Sequence, residues 1–411
     1  MKKLKTFLDN AITPYHTVQF IREKLQNAGF KSAKEESLKS GGAYYFETAN
    51  ASIAAFRLPK NYSEKSAFRL LSGHTDFPAL RLTPNPDKYT KEQHLLHPEI
   101  YGSPILSTWF DRDLHLAGML IGDSLTPTLF NDSALCKIPN LAIHLNKNKD
   151  NSSIDTQQNL DAIVTFKTNA SQYLQEKYIP QNEKLLSYDA WLIDSSSANI
   201  SEEGYISSGR LDNLLSCAAA LNALIKTESH SEMVTGFFLF NHEEIGSNSR
   251  EGANGNFAYR TLKNIHESLG GKNLEETFSR SFLISLDAAH AEPPNYSGVI
   301  EENHAPQLGN GIVLKTNAKK RYATDVYSEA FFKKIISNSK INLQHFVNRN
   351  DIPAGSTLGP ILSANLGIPT VDIGVPLLSM HSIRETANYK DYTDLEEISK
   401  SLFSSELHWI E

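Results

Sequence analysis

FFLFNHEEIGSNS, residues Phe237 to Ser249, runs four apolar side chains straight into a histidine, two adjacent glutamates and a glycine. A short apolar run bounded by turn formers reads as a strand covered on both faces, the kind found inside parallel sheets. Glu243 and Glu244 then stand where that strand meets its loop, and the strand ends of open α/β sheets are where ligands bind. Two carboxylates held side by side repel, which raises the pKa of one of them unless a cation lies between or beside them. Taken alone, the pair also reads as a solvated acidic turn made by Gly246.

Working outward, helical and strand patterns alternate from about Tyr205 to the C-terminus. A helix follows Asp212 (NLLSCAAALNALIK), then come strands in MVTGFFLFN and FLISLDAAH, a helix in DVYSEAFFKKIISNSK, a strand in LQHFVNR, a helix in TLGPILSANLG and a strand in TVDIGV. That order predicts an α/β sheet with helices packed on it. The N-terminal LKTFLDNAITPYHTVQFIREKLQNAGF has helical spacing, with Pro14 near a helix start and Gly29 near its end, and the strand-like runs AYYFE, SIAAFRL and AFRLLSGHTD follow. From about Leu82 the texture changes to prolines and short strand-like runs such as ILSTWFD, AGMLIGD and TPTLF. The expected organisation is a discontinuous α/β domain, 1–82 and 206–411, interrupted by a β-rich insertion at 83–205. Within the insertion the polar tract NKNKDNSSIDTQQN, 146–159, is expected to be a mobile exposed loop.

At 411 residues, 40% hydrophobic and 21% charged, the composition is that of a globular protein too long for one ordinary core. The net charge of −7, with no basic block interleaved with aromatics, argues against nucleic acid and anionic membrane as partners. No stretch approaches eighteen uninterrupted apolar residues, so no bilayer span is expected. The N-terminal lysines precede polar residues where a secretory signal would carry an apolar run. Cys136 and Cys217 stand in apolar stretches without C-x-x-C spacing and read as reduced core thiols, which suits a cytoplasmic location.

Other apolar runs also end in polar residues. LLSGHTDFPAL offers His74 and Asp76, two apart and able to face one site, where a carboxylate can accept the second N–H of a metal-binding imidazole. SSGRLDNLLS places Asp212 before an apolar helix, where an N-cap is the simpler reading. SFLISLDAAHAE ends a strand on Asp287, with His290 close behind, and TVDIGVPLLSMHSIRE leads to His381, which alone also reads as a core histidine. Together, five segments each finish in a candidate ligand: His74, Asp212, Glu244, Asp287 and His381. Two imidazoles and three carboxylates suit two zinc ions, provided one carboxylate bridges and each ion keeps an open position for water. The spacing is too long-range for a zinc finger or an H-E-x-x-H helix. One glutamate can then ligate metal while its neighbour Glu243 takes a proton from the activated water, so the expected chemistry is hydrolysis.

With these residues in view, the chain resembles the aspartyl aminopeptidase family of dinuclear zinc exopeptidases over nearly its whole length. The matching motifs are FLDNAITPYHTV, GHTDFPALRLTPNP, WFDRDLHLAG, IPNLAIHL, RLDNLLS, FNHEEIGS, LDAAHAEPPNY, VLKTNAKKRYATD and RNDIPAGSTLGPILSANLGIPTVDIGVPLLSMHSIRE, in that order. The resemblance implies a zinc-exopeptidase-like α/β sandwich with the insertion as a dimerisation domain. It implies two zinc ions per subunit, one held by His74, Asp212 and Asp287 and the other by Asp212, Glu244 and His381, with Asp212 bridging; such sites also accept cobalt or manganese. It further implies that Asp76 supports His74, that Glu243 is the general base and that Lys315 contacts the acidic side chain of a peptide substrate. His144 would reach into a neighbouring subunit's active site, and His290 would lie in the pocket. The implied assembly is a homo-oligomer, a tetrahedral dodecamer built from dimers, open only to peptides and unfolded segments.

Three departures from the family pattern stand out. Phe77 follows H-T-D where a small polar residue is common, which would narrow or repack the pocket; Asn241 replaces a frequent aspartate; and REGANG replaces an alanine- and glutamine-containing stretch. A same-chemistry alternative has neutral or broad specificity. A non-enzymatic shell of the same fold would have no need of the complete ligand set together with Glu243.

Overall fold

The computed structural model describes residues 1–145, 154–296 and 298–409. At its centre is a nine-stranded sheet in the order Lys31–Ser32, Ala43–Thr48, Ser52–Arg57, Val234–Phe240, Phe68–His74, Phe282–Leu286, Thr370–Gly374, Ile312–Lys315 and Leu343–Phe346. Four neighbours, Val234–Phe240, Phe68–His74, Phe282–Leu286 and Thr370–Gly374, run parallel, so their C-terminal ends form one edge. Every residue in these four strands is buried, because helices cover both faces of the sheet.

The alternation of side chains divides the FFLF run between two cores. Phe237 and Leu239 face the layer made by helices Lys2–Asn10, Pro14–Asn27, Leu211–Lys226 and Tyr389–Phe403. Phe238 and Phe240 face the layer containing helices Phe257–Ser268 and Leu358–Leu366. This is the helix-covered α/β sheet read from the sequence, in the sandwich form that the resemblance implied. The helix Phe257–Ser268 is an addition to that reading, and it lies on the path between Val234–Phe240 and the parallel strand Phe282–Leu286. Parallel strands need such a crossover.

The insertion closes into a six-stranded barrel in the order Leu185–Asp194, Ala79–Tyr89, His94–Tyr101, Ala162–Val164, Pro127–Lys137 and Leu114–Gly122. Leu80, Leu96, Leu116, Phe130, Cys136 and Trp191 are among its buried core. The barrel's first strand starts at Ala79, ahead of the expected boundary at 82. The prolines that suggested a boundary, Pro84 and Pro86, sit inside this strand where its register shifts between Leu82 and Asp87. Beyond Asp194, Tyr205–Ser208 pairs with Asn199–Ile200 on one side and Glu385–Asn388 on the other in a small antiparallel sheet.

Of the polar tract at 146–159, positions 146–153 lie outside the described residues, and Asp155 to Asn159 are exposed. Cys136 and Cys217 are buried and free, as read from their surroundings in the sequence. No helix among the described residues is long and apolar enough to cross a membrane.

Candidate metal centre

The shared edge of the parallel strands collects the polar residues singled out above. His74 is the last residue of its strand, and Asp287 directly follows Leu286. After Val234–Phe240 the backbone turns through His242 at φ 65° into the short 3-10 turn Glu243–Ile245 and leaves it through Gly246 at φ 94°. His381, at φ 68°, lies in the loop beyond Pro376–Leu377. Asp212 does not serve as a side-chain N-cap. Its carboxylate turns to the strand ends, with Oδ1 beside His74 Nε2, at a kink where its φ and ψ are −78° and 105°.

The ligand-type atoms of these residues converge. One group is His74, Asp212 and Asp287; a second is Asp212, Glu244 and His381; a third is His74, Glu243 and Glu244, each with its atoms within 4.8 Å of one another. His74 Nε2 lies 3.4 Å from Asp212 Oδ1 and 3.6 Å from Asp287 Oδ1. His381 Nε2 lies 3.7 Å from Asp212 Oδ2 and 3.5 Å from Glu244 Oε2. These separations exceed those of good N–H···O bonds. They resemble the spacing of about 3.3 Å between two ligands on one tetrahedral zinc with bonds of about 2.0–2.1 Å. Asp212 presents a different oxygen to each group, as a bridging carboxylate would.

The donor set itself calls for cations. His74 Nδ1 donates to the Asp76 carbonyl at 3.0 Å, and His381 Nδ1 donates to the Ser103 carbonyl at 3.0 Å. In a neutral ring that leaves a lone pair on each Nε2, aimed at carboxylate oxygens that are also acceptors. Only a proton or a metal ion between them removes that conflict. Asp212 Oδ1 and Glu244 Oε1 are buried without a hydrogen-bond partner among the described residues. Zinc fits both observations.

The charges of the cluster reflect this crowding. Burial opposes a charge on His74, but the carboxylates of Asp212, Asp287 and Asp76 outweigh it and lift its pKa well above the usual value. Burial and the Asp212 charge hold Glu244 well above the ordinary carboxylate range. Glu243, half-buried, is pushed up to about 8 by desolvation and by the charges of Asp287, Asp76 and Asp212, against the opposing pull of His74. Asp287 goes the other way, to about 2, because Lys315 and His74 together overcome its burial.

Hydrogen bonds from several elements hold these groups in place. Asp76 was expected to support His74 through its carboxylate, yet His74 Nδ1 is nearer the Asp76 carbonyl, with Asp76 Oδ1 at 3.5 Å. The Asp76 carboxylate instead accepts the backbone N–H groups of Glu243 and Glu244, each at 3.1 Å, and so pins the turn that carries both glutamates. Asn213 Nδ2 donates to the Leu286 carbonyl at 2.7 Å, and the Cys217 thiol to the His74 carbonyl at 3.0 Å. Glu385, 2% exposed, was not singled out from the sequence. Its two oxygens accept the backbone N–H groups of Asp212, at 3.0 Å, and His381, at 2.8 Å, tying two ligand loops together. A lone acid within HSIRE carries no sequence signal for that role.

The remaining candidates lie at different distances from this cluster. Lys315 is buried, donating to the Ala288 carbonyl at 3.0 Å and lying 3.5 Å from Asp287 Oδ2, so it is no exposed strand lysine. His290 is exposed, edge-on to Phe346, and borders a cavity of about 270 Å³. His144 is exposed in the short 3-10 turn Ile143–Leu145 of the insertion and belongs to none of the three ligand groups. Phe77 lines none of the cavities described among these residues. It packs into the barrel core, 6.0 Å from Trp191, with the Arg210 guanidinium over its ring at 5.6 Å.

Comparison with known proteins agrees with this chemistry. The profile of the aminopeptidase I zinc metalloprotease family, M18, matches residues 7–403. A probable M18 family aminopeptidase 2 of Ectopseudomonas mendocina is 36% identical over 421 residues, covering 98% of this chain and 97% of that protein. A chain in the cryo-EM structure of the Ape4 and Nbr1 complex superposes with a TM-score of 0.88 at 31% identity, over 98% of this chain and 85% of that one. The S. cerevisiae mApe1 dodecamer gives a TM-score of 0.83 at 25% identity, over 98% and 95%. The chain belongs to the M18 family of zinc metalloproteases and is a metalloaminopeptidase.

Proposed function

We propose that this aminopeptidase holds two zinc ions per subunit and removes N-terminal aspartate or glutamate from peptides. The observation that carries the reading is the set of lone pairs aimed at one another across His74, Asp212, Asp287, Glu244 and His381. His74, Asp212 and Asp287 would hold one ion, and Asp212, Glu244 and His381 the other. Bound there, the ions supply Lewis acidity, acidifying water and polarising the scissile carbonyl. Glu243 then takes a proton at its carboxylate and returns it to the leaving amine. Asp76 keeps that carboxylate aimed by fixing its backbone.

The acidic preference rests on Lys315, a buried ammonium beside Asp287 with N–H groups left after its bond to Ala288. His290, at the cavity mouth, would line the substrate path. One observation favours the alternative of neutral or broad specificity: Lys315 already neighbours the Asp287 carboxylate and serves as its countercharge.

We also propose a homo-oligomer, a tetrahedral dodecamer of dimers joined through the barrel domain, with His144 reaching a neighbour's site. Leu141, Ile143 and Leu145 flank His144 and are 62%, 62% and 68% exposed, an apolar patch of the kind that partners cover. The relation to the mApe1 dodecamer supports the same reading. The two free buried thiols suit a reducing, cytoplasmic setting.

The decisive experiment is hydrolysis of Asp-, Glu-, Leu- and Lys-aminoacyl chromogenic substrates before and after chelation. Chelator-sensitive cleavage confined to Asp and Glu is the expected result. Cleavage of neutral residues at equal rates would overturn the acidic preference and leave the metal chemistry standing.

A further inference from the structure

A short segment leaving the barrel touches the metal centre, and of its contacts only that of the Ser103 carbonyl enters the roles above. Tyr101 ends the barrel strand His94–Tyr101, and its hydroxyl donates to Asp76 Oδ2 at 2.7 Å, the same carboxylate that pins the Glu243–Glu244 turn. Gly102 follows at φ 67°; a Cβ there would stand 3.2 Å from Glu244 Cβ and 3.3 Å from Pro78 Cα. The Ser103 carbonyl accepts His381 Nδ1–H at 3.0 Å, and the Ile105 N–H donates to the His381 carbonyl at 2.9 Å. Three of these four contacts bear directly on Glu244 and His381, and the fourth reaches Glu244 through the Asp76 oxygen that also accepts its N–H.

We propose that Tyr101–Ile105 is a positioning strap, by which the inserted barrel orients Glu244 and His381 for metal. The proposal rests on the ligand assignment given above. Ser103 fixes which nitrogen of His381 carries the proton, leaving Nε2 free to bind. Tyr101 completes the acceptor shell of Asp76, and its ring is held 4.8 Å from Trp191 of the barrel core. Gly102 allows the strap to lie against Glu244, since any side chain there would need both a left-handed backbone and the space Glu244 occupies. The barrel therefore acts on the ion site as well as on assembly, and a strain on the barrel would reach the Glu244–His381 pair directly.

The test is zinc competition with a chromogenic chelator on the intact, assembled protein, run beside steady-state kinetics. Tyr101→Phe removes one hydroxyl and keeps the ring. Its expected effect is a loss of about 10- to 100-fold in the affinity of one of the two ions and in kcat, the range typical of partners behind metal ligands. KM, oligomer size, melting temperature and the affinity of the other ion stay close to wild type. Gly102→Ala is expected to weaken the same ion. Glu99→Gln, on the same barrel strand with its side chain 51% exposed, should behave as wild type. Ion affinities and kcat of Tyr101→Phe within about twofold of wild type would overturn the strap, being well outside that range. Equal loss of both ions with a lowered melting temperature would overturn it too, by making Tyr101 a fold residue only. The ligand assignment is judged separately: His381→Ala must lose one ion in the same assay, and its retention of both would sink that assignment whatever Tyr101→Phe does.

Discussion

Glu243 and Glu244 are adjacent, yet their surroundings differ enough to separate their work. The Glu244 side chain is 5% exposed and sits 3.5 Å from His381 Nε2, whereas Glu243 stays half-buried beside His74. Burial and neighbouring charge push Glu243 up to about 8. A dication nearby favours the ionised form, bringing Glu243 back toward a proton acceptor at neutral pH. Glu243→Gln should therefore keep its zinc and its assembly while kcat falls by about 10³-fold, the scale of a lost general base; a rate within tenfold of wild type would remove it from that role. Lys315→Ala separates the two specificity readings. If Lys315 binds the substrate's acid, KM rises for Asp and Glu substrates alone; if it serves only as countercharge to Asp287, all substrates lose equally. The candidate ligands were legible in the sequence because apolar runs end on them or, at Asp212, begin just after. Glu385 and Tyr101 were not, since each acts on a backbone group or a carboxylate far away in sequence, and nothing local marks them.

Elements with a strong local pattern were readable, and those defined by closure were not. The four parallel strands announce themselves as apolar runs, since both their faces are covered. The helix Phe257–Ser268 buries Phe257, Ala258, Thr261, Leu262 and Ile265 at helical spacing, but the glycine-rich REGANG ahead of it reads as a loop. Barrel closure depends on pairing across the whole insertion, so separate strand-like runs give no hint of it. The junction between barrel and sandwich is likewise invisible in sequence. Its centre is Asp194, the last residue of a barrel strand, whose carboxylate meets Arg384 at 3.0 Å and Arg112 at 2.9 Å. Arg384 also donates to the carbonyls of Ser196, Ser197 and Ser207, so this one pair organises the exit from the barrel. Burial tends to raise the pKa of Asp194, but Arg384 and Arg112 prevail and hold it below the ordinary value. A carboxylate with a depressed folded-state pKa stabilises above its unfolded value of about 3.9, and that contribution is lost as pH falls through the folded pKa. Asp194→Asn should lower stability by about 2 kcal/mol at neutral pH, with the difference from wild type closing below about pH 4. Thermal melts of both proteins across that range check it; a gap unchanged at low pH would show that the charge of Asp194 contributes nothing.

At the scale of the molecule, the insertion presents two very different segments to its surroundings. One, Tyr101–Ile105, is packed against the candidate ligand cluster of its own chain. Another carries His144 with three exposed aliphatic neighbours and belongs to none of that chain's candidate ligand groups. An exposed apolar segment around a histidine makes sense if a second copy covers it, and in a two-fold dimer each copy would then lend His144 to the other. Subunit mixing tests this directly. His144→Phe and Glu243→Gln assemblies should each be nearly inactive alone. If His144 acts in trans, dissociating and reassembling them together restores activity: in a mixed dimer the Glu243 of one subunit meets the His144 of the other. Random pairing of equal amounts then gives half mixed dimers with one working site in two, about a quarter of wild-type activity for an isologous dimer. If His144 acts within its own chain, every site in the mixture lacks one group or the other, and no activity returns. Should His144→Phe alone keep full kcat, the histidine belongs to neither site, and its apolar neighbours serve assembly alone.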